Sequence, residues 1–281
     1  LCLAVQLTHQ FERAKQPLKE ILMKQFNLRK QVLTAAVGAA LAFGAASQAS
    51  AAIAPVFTYD LDGVPGGTTV VANGLSGGSA EILQANPILN TFTGGGYVQI
   101  DALKYLSSTV SGTSYANTGL YALFTLTDTL ASGGLGVSGS TYILNSLNVF
   151  LWYDTSKNNT FTEATASVSN TGDDVLLASG SLVPGTGTAG LSSTFGAYLN
   201  SLTEFALTAA GENFFISPDP FYTKAFEGFN STGNSWTFNP ANGRLVIGNA
   251  TGVIDFRVPE PGSLALLGLG LLGLAAKRRR K

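Results

Sequence analysis

Leu147-Asn148-Val149-Phe150-Leu151-Trp152-Tyr153-Asp154 decides the fold class. Read at a period of two, Val149, Leu151 and Tyr153 fall on one side of a strand, and Phe150 and Trp152 on the other. Apolar residues on both sides are expected of a strand near the centre of stacked sheets. Working outward, further short β-rich runs lie at Val98 to Leu106, Tyr121 to Thr127, Thr203 to Thr208, Tyr222 to Phe226, Arg244 to Ile247 and Val253 to Val258. In the last of these Ile254, Phe256 and Val258 alternate with Asp255 and Arg257, the pattern of a half-buried strand. Turn-forming clusters separate the runs: Gly63 to Gly67, Asn73 to Ser79, Gly94-Gly95-Gly96, Gly133 to Ser140, Pro184 to Gly190 and Asn239 to Gly243. Glycine fills 27 of the 206 positions from 53 to 258, against an average of about 7%, which favours turns over helices. The expectation is an all-β body, a β-sandwich or jelly-roll-like domain, with no fixed repeat period. Ala197 to Ala210 keeps a helix open, because Leu199, Leu202, Phe205 and Ala206 also sit at helical spacing.

The rare residues exclude most catalysis. Cys2, His9 and Met23 all precede the β-rich body, which therefore has no thiol, imidazole or thioether. Ser-His-Asp and Cys-His nucleophiles, His- or thiolate-bound metals and disulfides are all closed to it. The formal charge of −1 conceals +4 over residues 1–52, −9 over 53–258 and +4 over 259–281. A body of that sign does not bind nucleic acid, whose phosphates need clustered Lys and Arg on the folded surface.

The basic ends carry addresses. From Met23, a basic stretch with Lys24, Arg29 and Lys30 leads into an apolar run from Val32 to Ala46 and then Ser47-Gln48-Ala49-Ser50-Ala51-Ala52. This is the layout of a secretory signal peptide over residues 23–51, cleaved between Ala51 and Ala52, with a competing site after Ala49. Residues 1–22 read as an upstream segment from a misplaced start, and the secretion translocon and signal peptidase are the implied partners. The secreted domain then covers 52–257. At the other end, Val258-Pro259-Glu260-Pro261-Gly262-Ser263 precedes an uncharged span to Ala276 and Lys277-Arg278-Arg279-Arg280-Lys281. A helix from Gly262 to Ala276 is about 22 Å long, short of the ~30 Å hydrocarbon core. Snorkelling cations and local thinning close that gap, and the positive-inside rule leaves the acidic body outside the inner membrane. A signal helix and a short transmembrane helix thus flank the β body.

Residues 258–281, with Pro-Glu-Pro, a short Leu/Gly/Ala-rich span and an Arg-rich end in that order, resemble the PEP-CTERM sorting signal of exported Gram-negative proteins. The resemblance implies that an exosortase recognises Pro259, Glu260 and Pro261, with Arg278, Arg279 and Arg280 in the basic tail, and passes the protein from an inner-membrane intermediate to the cell surface. Phe57-Thr58-Tyr59-Asp60, Gly119 to Phe124, Phe150 to Asp154 and Phe214-Phe215 with Pro220 to Tyr222 and Ala225-Phe226 are also similar to flocculation-associated PEP-CTERM proteins of the PepA type. That likeness implies a non-enzymatic surface protein in an exopolysaccharide matrix, where it promotes flocculation or biofilm formation.

Candidate chemistry in the body is sparse. Asp154 and Asn158, after a strand, with Asp173 and Asp174 nearby, offer oxygens to Ca²⁺, although the spacing is not that of an EF-hand and a solvated turn is the plain alternative. Asp60-Leu61-Asp62-Gly63 reads as a turn. Trp152, Trp236 and Tyr222 offer rings that could stack on a sugar; Trp152, inside an apolar run, reads as core, and Trp236, in a polar context beside Asn234, Ser235 and Thr237, is the better candidate. Two carboxylates are the main hydrolytic option left, ahead of a Ser-Lys dyad drawing on Lys104, Lys157 or Lys224, but no spacing selects a pair among fourteen acids in the body. The reading is therefore a structural or adhesive protein without catalytic residues or a required cofactor. A carbohydrate-active enzyme with paired carboxylates and a calcium-stabilised carbohydrate-binding module are the alternatives.

Overall fold

The computed structural model describes residues 55–64, 66–231 and 235–257. Ala51, Ala52, Pro259, Glu260, Pro261 and Arg278, Arg279 and Arg280, with the expected signal and transmembrane helices, lie outside the described residues. Among the described residues no helix is long and apolar enough to cross a membrane.

The strands are β1 (Phe57–Asp60), β2 (Thr69–Ala72), β3 (Gly74–Asn86), β4 (Thr91–Tyr105), β5 (Ser108–Thr109), β6 (Leu120–Ser132), β7 (Thr141–Tyr153), β8 (Thr160–Thr162) and β9 (Ser167–Ser169). They continue with β10 (Val175–Leu182), β11 (Thr188–Ser192), β12 (Gly196–Leu207), β13 (Phe215–Ser217), β14 (Lys224–Ser231), β15 (Trp236–Asn239) and β16 (Arg244–Arg257). The expected all-β character holds, and the pairing defines its architecture. β3, β4, β6 and β7 pair in succession, β7 pairs with both β10 and β11, both of these pair with β12, and β12, β14 and β16 follow. β16 then pairs with β3, from Arg244 opposite Gln84 to Ile254 opposite Leu75, so the sheet closes on itself. Every pair is antiparallel. β10 and β11 are two halves of one stave, interrupted by residues 183–187. The two apolar-cored layers expected of a sandwich are thus opposing walls of one up-and-down barrel. Its staves follow chain order, without the crossover that a jelly roll needs.

Side-chain alternation sorts inside from outside. Phe124, Val149, Gly180 and Phe205 face one another across β6, β7, β10 and β12 and point inward, where the three bulky members are buried. The next row, Thr125, Asn148, Ser181, Glu204 and Lys224, points outward. An apolar interior with a polar wall is the reverse of a lipid-facing barrel. This corrects the reading of β7 as buried on both faces: Val149 and Leu151 are interior, whereas Phe150 stands 36% exposed on the outer wall and Trp152 is half-buried there. Ala197 to Leu207 is strand, with Ala197, Leu199, Ser201, Thr203 and Phe205 alternately buried, so the helical spacing was incidental. Arg244 to Ile247 and Val253 to Arg257 belong to a single strand, β16. Val258 lies outside the described residues.

Aromatic rings seal both mouths. At the pole where β16 ends, Phe57 meets Phe256 edge-on at 5.1 Å, and Phe215 and Phe221 pack around them. At the opposite pole Phe238 of β15 lies edge-on to Phe92 at 5.7 Å, and Phe92 to Tyr142 at 5.6 Å.

Gly94-Gly95-Gly96 was expected to turn but runs through the middle of β4. A β-carbon on Gly96 would lie 2.0 Å from the Ala80 carbonyl oxygen, and one on Gly95 2.1 Å from that of Phe124. The strand passes its neighbours so closely here that only hydrogen fits. Gly96→Val is expected to destabilise the barrel by about 2–4 kcal/mol, and Gly172→Ala, with open space around it, by under about 0.5 kcal/mol. Urea unfolding of the two variants checks the contrast, and equal midpoints would refute the close-packing account.

Candidate functional site

The chain leaves the barrel after Tyr153 and returns at Val175, and its acidic residues converge in that excursion. Asp154 is fully buried at the strand end. Its Oδ1 accepts the Ser156 and Lys157 amides at 3.1 and 2.7 Å, and its Oδ2 accepts the Asn159 amide at 2.8 Å and the Tyr115 hydroxyl. One carboxylate thereby folds the loop over itself, with Lys157 held at φ +55. Asp173 accepts the Thr155 hydroxyl and the Ser156 amide, which hold its carboxyl below the usual range. Asp174 accepts the Tyr121 hydroxyl and, at 2.9 Å, the Asn159 side-chain amide. Burial, then the bonds to Asp154 and Asp174, push both tyrosine hydroxyls far above their ordinary range. The short β8–β9 hairpin latches the loop to the wall: Phe161 packs on Tyr97, Tyr115 and Tyr121, and Glu163 accepts the Asn249 amide at 2.9 Å.

Oxygens of Asp154, Asp173 and Asp174 lie within 4.8 Å of one another. The structure brings together these three of the four sequence-selected residues. Asn158 instead stays exposed and gives its carbonyl to Asn170, while its neighbour Asn159 turns into the cluster. Asn159 Oδ1 and Asp174 Oδ1 are shielded from water without a hydrogen-bond partner. Donors from the chain occupy both oxygens of Asp154, Oδ2 of Asp173 and Oδ2 of Asp174, so a cation here would draw mainly on these two and on Asp173 Oδ1. Asp60 Oδ1 accepts the Asp62 and Gly63 amides at 3.1 Å each, the turn expected of that sequence.

Trp236 lies at the opposite pole, on β15. Its indole N–H donates to the Ser192 carbonyl at 3.0 Å, and its half-buried ring packs against the core. The outer wall has its own concave surface: two adjoining depressions of about 480 and 490 Å³ share Phe205, Ala206 and Thr223. Asn148, Phe150, Ser179, Ser181 and Glu204 line one, and Asp219, Phe221 and Tyr222 the other. Of this surface the sequence singled out only the Tyr222 ring for sugar stacking, because the other lining residues come from strands far apart in the chain.

Three interior carboxylates were also missed. Glu81, Asp128 and Glu227 are buried in the barrel. The signal was one of phase: Glu81 alternates with Leu83, and Asp128 with Leu126, so each falls on the apolar side of its strand. Burial, with the nearby Asp128 charge adding to it, pushes Glu81 up to about 8. Burial raises Asp128 to about 7 against the opposing bond from the Phe92 amide, and Glu227 to about 7 against that from the Thr203 hydroxyl. Glu81 and Asp128 line one cavity of about 20 Å³, which admits roughly one water and no sugar ring.

Residues 257–280 match the PEP-CTERM protein-sorting motif. The chain is therefore an exosortase-sorted protein, exported and directed to the membrane and cell surface. No curated protein and no solved structure matches the chain.

The three interior acids bind protons more tightly in the folded barrel than in the unfolded chain, whose Glu and Asp titrate near 4.5 and 3.8. Their contribution to stability is full below those values and is lost as pH rises through about 7 to 8. The melting temperature should therefore fall between about pH 5 and pH 9, with Glu81→Gln, neutral throughout, flattening the upper part of that fall. A profile identical in the variant would refute the assignment to Glu81.

Proposed function

We propose that the protein is a structural or adhesive component of an exopolysaccharide matrix, promoting flocculation or biofilm formation without a catalytic step of its own. What carries this reading is the join at Arg257, where a closed, core-filled barrel passes directly into the sorting motif. The barrel is delivered to the surface as a rigid body with its chemistry on the outer wall. There the depressions beside Phe150 and Tyr222 offer aromatic faces next to amide, hydroxyl and carboxylate groups, the mixture suited to neutral sugars. On this reading the polymer contact lies on the wall around Phe150, with Trp236 bracing the far mouth.

Intact-mass spectrometry of the protein from native cells and medium, beside a strain lacking the exosortase, tests the sorting. A species starting near Ala52 and ending near Pro259-Glu260-Pro261 only when exosortase is present is expected. A basic tail retained in both strains counts against it. For the matrix role, Phe150→Ala should weaken retention on the host polymer by about tenfold while leaving the melting temperature unchanged. Retention equal to wild type removes the wall as the contact.

A second reading, a cation-stabilised barrel, is supported by the shielded oxygens Asn159 Oδ1 and Asp174 Oδ1 beside three converging carboxylates. Calcium at about 1 mM should then raise the melting temperature by several degrees, and Asp174→Asn should abolish the rise. An unchanged melting temperature leaves the loop as a hydrogen-bonded turn.

A further inference from the structure

The barrel has two unlike poles. Both ends of the described body lie at one: Phe57 contacts Phe256, and the Tyr222 hydroxyl donates to the Val56 carbonyl at 2.7 Å. The acidic residues Asp60, Asp62, Asp154, Asp173 and Asp174 crowd the connections of that pole. The described connections at the other pole are residues 87–90, 133–140, 193–195 and, on either side of β15, 235 and 240–243. None of these contains Asp, Glu, Lys or Arg, and their described tips are apolar: Ile88 is 88% exposed, Phe195 78%, Leu89 63% and Val137 55%. These tips stand on a fixed platform. The Ser193 amide donates to Ser138 Oγ at 2.8 Å, the Gly139 amide to the Leu191 carbonyl at 2.7 Å, the Trp236 indole to the Ser192 carbonyl, and the Leu130 amide to the Asn90 carbonyl at 2.9 Å.

We propose that this distal pole is a homotypic contact, on which two copies of the chain dock end to end. Identical copies of a body with fourteen acids, Glu81, Asp128 and Glu227 of them buried in the core, and five bases still carry a net negative surface and repel one another over most of it. The distal pole is where they can meet without carboxylate facing carboxylate. A two-fold axis sets each copy's Phe195 and Ile88 against the same apolar crown on the other, and an apolar patch is complementary to itself. Eight staves about 4.8 Å apart, with their side chains, give an end face of about 500 Å² per copy. The pair would bury about 1,000 Å², the lower limit for a specific contact. Such pairing is weak for one pair and gains strength by avidity when many copies are displayed together. Its use for joining cells rests on the surface-sorted matrix reading, whereas the pairing itself does not.

Sedimentation velocity of the mature protein recovered from cells, from about 1 to 300 μM, is expected to show a monomer–dimer equilibrium. Ile88→Ser with Phe195→Ser should weaken it at least about tenfold with circular dichroism and melting unchanged. Val64→Ser, at the other pole, should leave it intact. A monomer at every concentration, or a dimer indifferent to the crown variant, overturns the proposal. So does co-sedimentation of monomers with phosphatidylethanolamine–phosphatidylglycerol vesicles that the crown variant abolishes, which would make the crown a lipid contact. Flocculation of a strain carrying the crown variant is read separately. If the dimer is lost and flocs persist, self-association stands and the join between cells lies elsewhere.

Discussion

The pairing of β16 with β3 is the contact on which the remainder of the body depends. Without it β3 and β14 would each present a row of unpaired amides and carbonyls, and the inward rows would lie on an open sheet with one face to water. Once Arg244 to Ile254 lie against Gln84 to Leu75, every stave has two neighbours and alternation alone assigns each residue to core or wall. The aromatic plugs at the two mouths then complete the core. Phe256 belongs to the closing strand itself, so closure of the wall and sealing of one mouth are a single event.

The filled interior explains where chemistry can occur. Large side chains from the staves leave space for little more than water beside Glu81 and Asp128. Their proximity, which on an open surface would invite comparison with a hydrolytic pair, is a feature of the core. Contacts with anything larger are made by the outer wall or the connections. The acidic excursion after β7 is one such connection, but most of its carboxylate oxygens are already engaged by tyrosine hydroxyls and backbone amides, which fix its shape.

The sequence conveyed the class of this fold more readily than its closure. Alternation in Val253 to Val258 and the glycine-rich punctuation identified strands, yet nothing local tells a closed meander from two stacked sheets. That difference lies in one pairing between residues more than a hundred positions apart. Phe150 and Trp152 misled because an apolar outer position looks the same as a buried one. Gly94 to Gly96 misled because a glycine needed for close strand approach cannot be told by type from one needed for a turn. Of the acidic loop, Asp154, Asp173 and Asp174 were legible by residue type. The exchange of Asn158 for Asn159 follows from the turn that Asp154 imposes. The sorting signal was the most legible of all, because it is read as a linear segment.

The barrel's last strand ends at Arg257, and the sorting motif begins at that same residue. An exported chain emerges from its N-terminal side, so the seven earlier staves reach the far side of the membrane before the one that completes the ring. During that interval β3 and β14 are free edges, able to pair with any strand that comes within reach. Completion of the barrel and delivery of the sorting motif are therefore nearly simultaneous, set by the order of synthesis. A chain truncated before β16 would lack its address as well as its closing strand, so an edge-exposed, unfinished barrel carries no instruction to go to the surface.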